Sequence, residues 1–291
     1  MPRFVRFLKP LVPDPIWRAG WRADWHLRYL TRRGRMLPDF LIIGAQKSGT
    51  TAVHQYIMQH PAVVDPYLKE VHYFDLHYDA GPDWYQANFP LQARRWLVSD
   101  VLGRPMVTGE ASPAYLFHPA VPRRIYELVP QVKLIALLRN PVQRAYSHYH
   151  HQVRLGHLSE SLEQALQTEY KQLAGREDEL LASEEYCARN HVKYSFLGRG
   201  LYYQQLLNWQ KWFGPDQLLI LRSEDYFADP QAVLSTIFAF LGLPDYTVTP
   251  LKDHSSGSYP KMSAEVRRWL EAYYAPHNAR LYELLGRDMG W

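Results

Sequence analysis

The stretch of sequence that decides this fold is Asp39-Phe-Leu-Ile-Ile-Gly-Ala-Gln-Lys-Ser-Gly-Thr-Thr51. Its apolar run, residues 41–43, is typical of a short strand buried on both faces, as in a parallel sheet. Gly44 and Gly49 bracket a loop that contains Lys47, and a helical pattern follows at once. Backbone N–H groups and the helix dipole attract anions at such a junction. The stretch therefore predicts an anion-binding loop between a strand and a helix.

The order of residues in this loop differs from that of a Walker A loop. A Walker A loop reads G-x-x-x-x-G-K-[ST], whereas here Lys47 precedes Gly49 by two residues and is followed by Ser48. A nucleoside triphosphate with its metal ion is therefore not the first expectation. For this segment taken alone, a plain glycine-rich turn with an exposed lysine is the structural alternative.

A second junction of the same kind lies further along the chain. The apolar run Lys133-Leu-Ile-Ala-Leu-Leu-Arg139 ends in a cation, and Asn140-Pro141 then opens a helix, where proline is well placed because the first turn needs no N–H partner. Ser147 lies eight residues after Arg139, two turns into that helix. The side chains of Arg139 and Ser147 are therefore predicted to meet on one anion.

A third segment completes a pattern that resembles a known family. The segments Gly44-Ala-Gln-Lys-Ser-Gly-Thr-Thr51, Lys69-Glu-Val-His-Tyr-Phe74 and Leu138-Arg-Asn-Pro-Val-Gln-Arg-Ala-Tyr-Ser-His-Tyr149 resemble the sulfotransferases that use 3'-phosphoadenosine 5'-phosphosulfate (PAPS). The similarity is to the branch of heparan sulfate N- and O-sulfotransferases, and within it to soluble bacterial members. It runs from about Pro38 to Trp291.

The resemblance implies a fold and a set of nucleotide contacts. The fold is α/β, like that of P-loop NTPases, with a parallel sheet flanked by helices on both faces, and the alternation of strand and helix patterns along the chain favours the same architecture. Arg139 and Ser147 would bind the 3'-phosphate of the donor. The loop that would hold the 5'-phosphosulfate comprises Gln46, Lys47, Ser48, Gly49, Thr50 and Thr51, and a later loop offers Lys252, Ser256, Gly257 and Lys261 as further donor contacts.

The chemistry of sulfuryl transfer suits these residue types. Like phosphoryl transfer, it passes through a loose in-line transition state whose charge is stabilised by positioned cations and N–H donors. By the resemblance, Lys47 lies near the bridging oxygen that leaves, and Glu70 is the catalytic base. PAPS is the expected donor, 3'-phosphoadenosine 5'-phosphate (PAP) the product, and the mechanism requires no metal.

Two neighbouring side chains compete for the role of base. In an extended chain Glu70 and His72 lie on the same side, so we predict Glu70 as the base and His72 as a group that orients it. A surface ion pair of Glu70 with Lys69, and a packing role for His72, are the structural alternatives.

The acceptor is less defined than the donor. The segment Gly109-Glu-Ala-Ser-Pro-Ala-Tyr115 resembles one that carries a lysine in the glycosaminoglycan enzymes, but here Ala111 occupies that place. We expect the hydroxyl or amine of a carbohydrate or small molecule. A nucleotide kinase or other phosphoryl transferase, and a non-catalytic nucleotide-binding protein, are the alternative functions.

Charge divides the chain into two parts. Residues 1–35 hold nine basic and two acidic residues, a net charge of +7, whereas the other 256 residues hold 24 basic and 27 acidic ones. We therefore predict a basic, tryptophan-rich arm over 1–37 and one catalytic domain over 38–291, without a nucleic-acid surface on the domain.

The arm itself carries a helical pattern. Trp17, Trp21 and Trp25 recur every four residues, so a helix is predicted from about Asp14 to Arg33. It could dock on the catalytic domain or on an oligomer partner, make peripheral contact with a membrane, or merely precede the fold. No apolar stretch approaches the roughly 20 residues needed to cross a bilayer.

The remaining expectations concern compartment, metal and a lid. One cysteine, Cys187, permits no internal disulfide and favours the cytoplasm. The thirteen histidines show no metal-binding pattern, and those at 148, 150 and 151 are expected to line a cleft or the surface. The polar residues 175–199 are expected to form a variable lid or substrate loop.

Overall fold

The computed structural model describes residues 14–190, 195–250 and 259–291. In these parts of the chain, five strands form one sheet in the order β2-β3-β1-β4-β5, and every pair is parallel. The strands are β1 (Phe40–Gly44), β2 (Val63–Val64), β3 (Val107–Ala111), β4 (Lys133–Leu138) and β5 (Leu218–Arg222). Strand β1, which was predicted from residues 41–43, thus lies at the centre of the sheet.

The helices cover both faces of this sheet. They are α1 (Asp14–Leu30), α2 (Thr50–Ile57), α3 (Pro82–Gln86), α4 (Gln92–Arg95), α5 (Val121–Leu128), α6 (Pro141–Arg154), α7 (Leu162–Leu173), α8 (Glu177–Leu181), α9 (Glu184–Arg189), α10 (Tyr202–Gln210), α11 (Ser223–Ala228), α12 (Pro230–Phe240) and α13 (Ala264–Leu285). A π-helical segment, Trp96–Val101, follows α4 directly. The predicted architecture, a parallel sheet flanked by helices on both faces, is confirmed.

The core is built from the two faces of β1. Leu41 and Ile43 pack on one side with residues of α5, α10 and α13. Phe40 and Ile42 pack on the other side with residues of α2 and α12. Because successive strand side chains point to opposite faces, a strand covered on both sides must be apolar throughout, and all five residues of β1 are buried. This burial fixes the loop that follows β1.

The structure departs from the sequence prediction around residues 175–199. In place of a variable lid, α8 and α9 form here, and Leu181, Tyr186, Cys187 and Phe196 are buried in a third apolar cluster with α6, α7 and α13. The helices are only five and six residues long, too short to show a periodic pattern in the sequence.

The described part of the N-terminal arm packs on the catalytic domain. In α1, the ring of Trp25 lies 5.7 Å from that of Tyr67 and 5.8 Å from that of Trp84. Trp21 stacks on Tyr67 at 6.1 Å, and the guanidinium of Arg28 lies 4.3 Å from the centre of the same ring. These aromatic contacts cover part of Trp25, whereas Trp21 stays 41% exposed. Among the described residues, no helix combines the length and apolarity that a membrane crossing requires.

Candidate active site

The loop between β1 and α2 is held from below by two hydrogen bonds. The Oγ of Ser223, at the start of α11, donates to the carbonyl of Ser48 at 2.9 Å, and Nη1 of Arg139 donates to the carbonyl of Lys47 at 2.9 Å. Lys47 itself has a φ of 72°, in the left-handed region that non-glycine residues rarely occupy. The loop is therefore tied to the ends of β4 and β5 by its carbonyls.

Gly49 is required by both conformation and space. Its φ is +88°, and a Cβ at this position would lie 3.2 Å from the ring of Phe227 and 3.3 Å from that of Tyr226. It precedes the first residue of α2 and has no side chain to cap the helix, so the first N–H groups of α2 are left for another acceptor. An anion is the partner that such a helix start favours.

Some buried polar atoms of this loop and of Arg139 make no hydrogen bond within the described chain. Among the described residues, no hydrogen-bond partner is found for the buried Oγ of Ser48, Oε1 of Gln46 or Nε of Arg139. Burial lowers the pKa of the half-buried Lys47, and the nearby charges of Arg154, Arg139 and Arg144 lower it further. Several cations at one place repel each other, and a bound polyanion would offset this repulsion.

The second predicted junction forms at the end of β4. The hydroxyl of Tyr202 donates to the carbonyl of Arg139 at 2.9 Å, and the Asn140 side chain caps α6 by accepting from the N–H of Val142 at 3.0 Å. Ser147 lies in the second turn of α6 and is nearly buried. That Arg139 and Ser147 meet on one phosphate stays a prediction.

The predicted base lies in a tight turn instead of an extended segment. Glu70 has a φ of 60° and His72 a φ of 51°, and with Lys47 they are the non-glycine residues of the described chain that adopt a left-handed conformation. Their side chains do face each other, with 3.7 Å between Nε2 of His72 and Oε2 of Glu70. The alternation of an extended strand is therefore the wrong reason for their proximity. Such conformations cost about 1–3 kcal/mol each and persist where the surroundings enforce them.

The turn is enforced by a buried carboxylate on β3. Glu110 is fully buried and accepts hydrogen bonds from the hydroxyl of Ser112 at 2.7 Å, that of Tyr115 at 2.9 Å and the N–H of Val71 at 3.4 Å. Ser112 in turn accepts from the N–H of His72 at 3.1 Å. Burial raises the pKa of Glu110 to about 6, against the lowering effect of its hydrogen bonds. Sequence reasoning assigned Glu110 no role because the turn that it holds, at Val71 and His72, lies about 40 residues away in the chain.

Asp75 is a second functional residue that sequence reasoning missed. Its side chain has no exposed surface, and its Oδ2 lies 2.9 Å from Nδ1 of His72. The spacing His-x-x-Asp within Lys69-Glu-Val-His-Tyr-Phe-Asp75 was the available signal. Carboxylates therefore flank both ring nitrogens of His72, with Glu70 near Nε2 and Asp75 at Nδ1.

These contacts set the protonation of the pair. Burial by itself would raise the pKa of Glu70, but hydrogen bonding to His72 and the charge of Lys69 outweigh it and hold the pKa at about 2. Burial lowers the pKa of His72, whereas its hydrogen bonds to Asp75 and Glu70 raise it, with a net result of about 10. At neutral pH Glu70 is an anion and His72 a cation.

Lys69 joins this turn to the anion-binding loop. Its Nζ donates to Oγ1 of Thr51 at 2.9 Å and lies 3.2 Å from Oε1 of Glu70. The ion pair of Glu70 with Lys69, which was the structural alternative, is therefore present. It does not leave Glu70 as an isolated surface group, because the same ammonium bonds the first turn of α2.

The other candidate residues divide into three groups. Lys252, Ser256 and Gly257 lie outside the described residues, whereas Lys261 is described and exposed. Ala111 is buried in the apolar cluster on the α2 side and offers no acceptor contact.

The three histidines of α6 have different surroundings. His148 was expected to line a cleft or the surface, but this prediction is wrong, because His148 is fully buried against Phe196. His150 stacks on Tyr259 at 4.6 Å. No group of metal-ligating side chains that could hold an ion occurs among the described residues.

Comparison with known proteins identifies the family. Residues 37–268 match the family model described as "Sulfotransferase domain". This chain belongs to the sulfotransferase family. The resemblance found in the three sequence motifs is thereby confirmed.

Individual sulfotransferases are similar over most of the chain. A membrane-associated sulfotransferase, kil1, of Dictyostelium discoideum is 26% identical over 88% of this chain and 66% of its own length. The bifunctional heparan sulfate N-deacetylase/N-sulfotransferase 2 of Bos taurus is 31% identical over 96% of this chain, which spans 33% of the bovine enzyme. A sulfotransferase crystal structure from Alicyclobacillus acidocaldarius is 30% identical, covers 87% of this chain and 97% of its own, and has a TM-score of 0.65.

Proposed function

We propose that this protein moves a sulfuryl group from PAPS to a hydroxyl or amine, with Glu70 as the general base and Lys47 beside the leaving oxygen. The observation that carries the proposal is the position of Lys69, whose Nζ bonds Thr51 of the anion-binding loop and approaches the Glu70 carboxylate. Glu70 is thereby held next to the loop that would bind the donor. An acceptor between the two would present its proton to Glu70 and its nucleophilic atom to the donor.

The residues present suit the donor. Ser48, Gln46 and Arg139 have buried polar atoms for which the described chain provides no partner, and Lys47 lies among three arginines. PAPS, when bound, supplies the activated sulfuryl group together with two phosphate groups. We propose that Gln46 to Thr51 hold the 5'-phosphosulfate and that Arg139 and Ser147 hold the 3'-phosphate. Charge-assisted bonds of this kind distinguish PAPS from nucleotides that lack the 3'-phosphate.

The low pKa of Glu70 is compatible with a base. A carboxylate with a pKa of about 2 attracts protons weakly in the resting protein. The acceptor's hydroxyl or amine becomes far more acidic as its bond to sulfur forms, so the proton passes to Glu70 late in the reaction. His72, which is protonated at neutral pH, cannot accept a proton and instead orients the carboxylate from one side.

The acceptor class follows from the relatives and the site together. The bovine relative is named for heparan sulfate, and we propose a carbohydrate or small-molecule acceptor for this chain. We further propose that no metal ion takes part, because positioned side-chain cations such as Lys47 and Arg139 can stabilise the charge that develops during transfer, and that no nucleic acid is bound. Burial raises the pKa of the Cys187 thiol to about 12, and a thiol so buried is consistent with the cytoplasm that we propose as its compartment.

Transfer of label from PAPS tests this function directly. The full chain is incubated with PAPS labelled in its sulfuryl group and with separate acceptors: an oligosaccharide with free amines, one with hydroxyls only, a simple phenol and an aliphatic alcohol. We expect label in at least one acceptor, in the presence of a chelator. Binding of PAP without transfer to any acceptor class would favour a non-catalytic nucleotide-binding protein, and no binding of PAP would contradict the proposal.

A further inference from the structure

A basic cavity lies at the amino-terminal ends of the strands, opposite the candidate active site. Asp39, Val107 and Lys133, which lie at the beginnings of β1, β3 and β4, line it. Its volume is about 690 Å³, and its charged lining consists of four cations and one carboxylate: Arg33, Arg35, Arg95, Lys133 and Asp39. Since Arg95 pairs with Asp39, three positive charges are left without a carboxylate in the cavity wall. Of these, Arg35 donates to the carbonyl of Phe89 and Lys133 to that of Phe240, whereas Arg33 is exposed.

Large apolar side chains stand exposed beside this cavity. Gln92 and Arg95 of α4 line it, and the chain around them exposes the side chains of Leu91, Trp96, Leu97, Val101 and Leu102. Trp96 is 59% exposed and Leu102 is 58% exposed. Only Val98 of the π-helical segment is packed against the core cluster on the α5 side. These five large apolar residues fall within twelve positions of the chain and form an apolar patch. Single exposed apolar residues are ordinary, whereas a contiguous group of them marks an interaction surface.

The end of the N-terminal arm joins the same surface. Arg35 pairs with Leu91 in an antiparallel bridge, and the N–H of Met36 donates to the carbonyl of Pro90 at 2.8 Å. Just before this connection, Leu27 and Leu30 of α1 are exposed, and the exposed Arg33 reaches the cavity. The patch of residues 91–102, the cavity and the end of α1 together are called the basal surface here.

We propose that the basal surface docks on an anionic lipid bilayer, with the apolar side chains in the interface, the exposed Arg33 on a lipid phosphate and the net positive charge of the cavity attracting the anionic headgroups. Surfaces that combine aromatic and aliphatic side chains with arginine bind such membranes. A second copy of the chain fits less well, because a contact between two copies of this basic surface would bring like charges together. The proposal does not depend on the sulfuryl-transfer activity.

The proposal differs from membrane contact through the tryptophan stripe of the arm. Trp25 packs against Tyr67 and Trp84, so its ring is already covered by protein. On the basal surface the residues that would touch lipid are exposed. The candidate active site lies at the other ends of the strands, roughly 16 Å away for a five-residue strand. A docked molecule would therefore present its active site away from the bilayer.

Vesicle flotation with the full chain tests the proposal. Vesicles of phosphatidylcholine with phosphatidylglycerol are compared with vesicles of phosphatidylcholine alone. The variant combines Leu97→Ser with Arg33→Glu, and the matched control combines Leu207→Ser with Lys211→Glu, which changes a half-exposed leucine and an exposed cation on α10 and the turn after it. We expect binding to the anionic vesicles only, weakened about tenfold or more in the variant and unchanged in the control.

Three outcomes would overturn the proposal. The first is an absence of binding to anionic vesicles, or equal binding to neutral ones. The second is undiminished binding by the variant, provided that its thermal unfolding matches that of the control; residues elsewhere, such as 1–13, would then carry the contact. The third is a dimer in sedimentation velocity, without lipid, that the variant dissociates and the control does not. In that case the basal surface joins two copies.

Discussion

The Nδ1 atom of His72 lies 2.9 Å from Oδ2 of Asp75, a carboxylate whose side chain has no exposed surface. Asp75 and Glu70 raise the pKa of His72 to about 10, so protonation of His72 stabilises the folded state. That contribution is complete below the ordinary histidine value of 6.5 and is lost as the pH rises through about 10. We expect Asp75→Asn to move this loss, and the accompanying fall in turnover, to a lower pH.

The measurement is turnover as a function of pH for both proteins. Asp216→Asn, at an exposed position, serves as the control. Lys47 titrates in every variant, so the informative quantity is the difference between the alkaline limbs of the profiles. Identical limbs for the wild type and Asp75→Asn would mean that the charge of His72 has no part in catalysis.

Lys47→Ala should slow the chemical step. Removal of one donor that stabilises developing charge costs about 10²- to 10³-fold in turnover. Lys211→Ala, on the exposed surface, is the control and should have no effect. Single-turnover kinetics with saturating PAPS would separate this effect from weaker binding. A loss confined to donor affinity would show that Lys47 binds the donor without assisting its departure.

Glu70→Gln should remove most transfer while preserving nucleotide affinity. Glutamine keeps the size of the side chain but cannot accept the acceptor's proton, so we expect turnover to fall by about 10²- to 10⁴-fold. Calorimetric titration with PAP checks that the donor site is intact. Undiminished turnover would assign the base to another group, and His72 would be a poor candidate since it is already protonated at neutral pH.

Arg139→Ala should weaken PAP far more than adenosine 5'-phosphosulfate. Loss of a charge-assisted bond to the 3'-phosphate is expected to cost about ten- to a hundredfold in affinity. Arg139 also donates to the carbonyl of Lys47, so some loss for both ligands is expected from a loosened loop. The ratio of the two affinities, measured by calorimetry, removes that common part. Equal losses would exclude Arg139 from the 3'-phosphate site.

Gly49→Ala should destabilise the protein and weaken PAP binding together. The left-handed φ of +88° and the ring of Phe227 at 3.2 Å both oppose a Cβ, and we expect a loss of about 1–3 kcal/mol in the free energy of unfolding. Gly214→Ala is the matched control, because nothing lies within 4 Å of its Cβ position. Denaturant unfolding measures the stability of the two variants, and calorimetric titration measures their affinity for PAP. Equal stability of the two variants would show that the loop can relax around the methyl group.

The loop between β1 and α2 could be predicted because its determinants are local. The apolar run of β1, the two glycines and Lys47 are neighbours in sequence, and their order alone predicts a strand, a loop and a helix start. The same holds at the second junction for β4 and the residues Arg139, Asn140 and Pro141. There the Asn140 side chain caps the helix by accepting from the N–H of Val142, two residues further along the chain. The family resemblance rested on such local segments.

The turn that carries Glu70 and His72 could be located but not described from sequence. Glu70 and His72 were placed on one side by assuming an extended chain, whereas their φ values are those of a left-handed turn. That turn is held by Glu110 and Ser112, which are about 40 residues away in sequence. A hydrogen bond between distant segments leaves no period or composition in the sequence, and so Glu110 passed unnoticed.

The sequence by itself determined the class of fold, the loop between β1 and α2 and the residue types around it, because backbone conformation, strand burial and helix starts depend on adjacent residues. The tertiary structure alone decided the charge states of Glu70 and His72, since these depend on burial and on the distances to Lys69 and Asp75. It also decided which apolar residues are covered. Trp25 and Trp96 are alike as sequence, but one packs on Tyr67 and the other stands exposed on the basal surface.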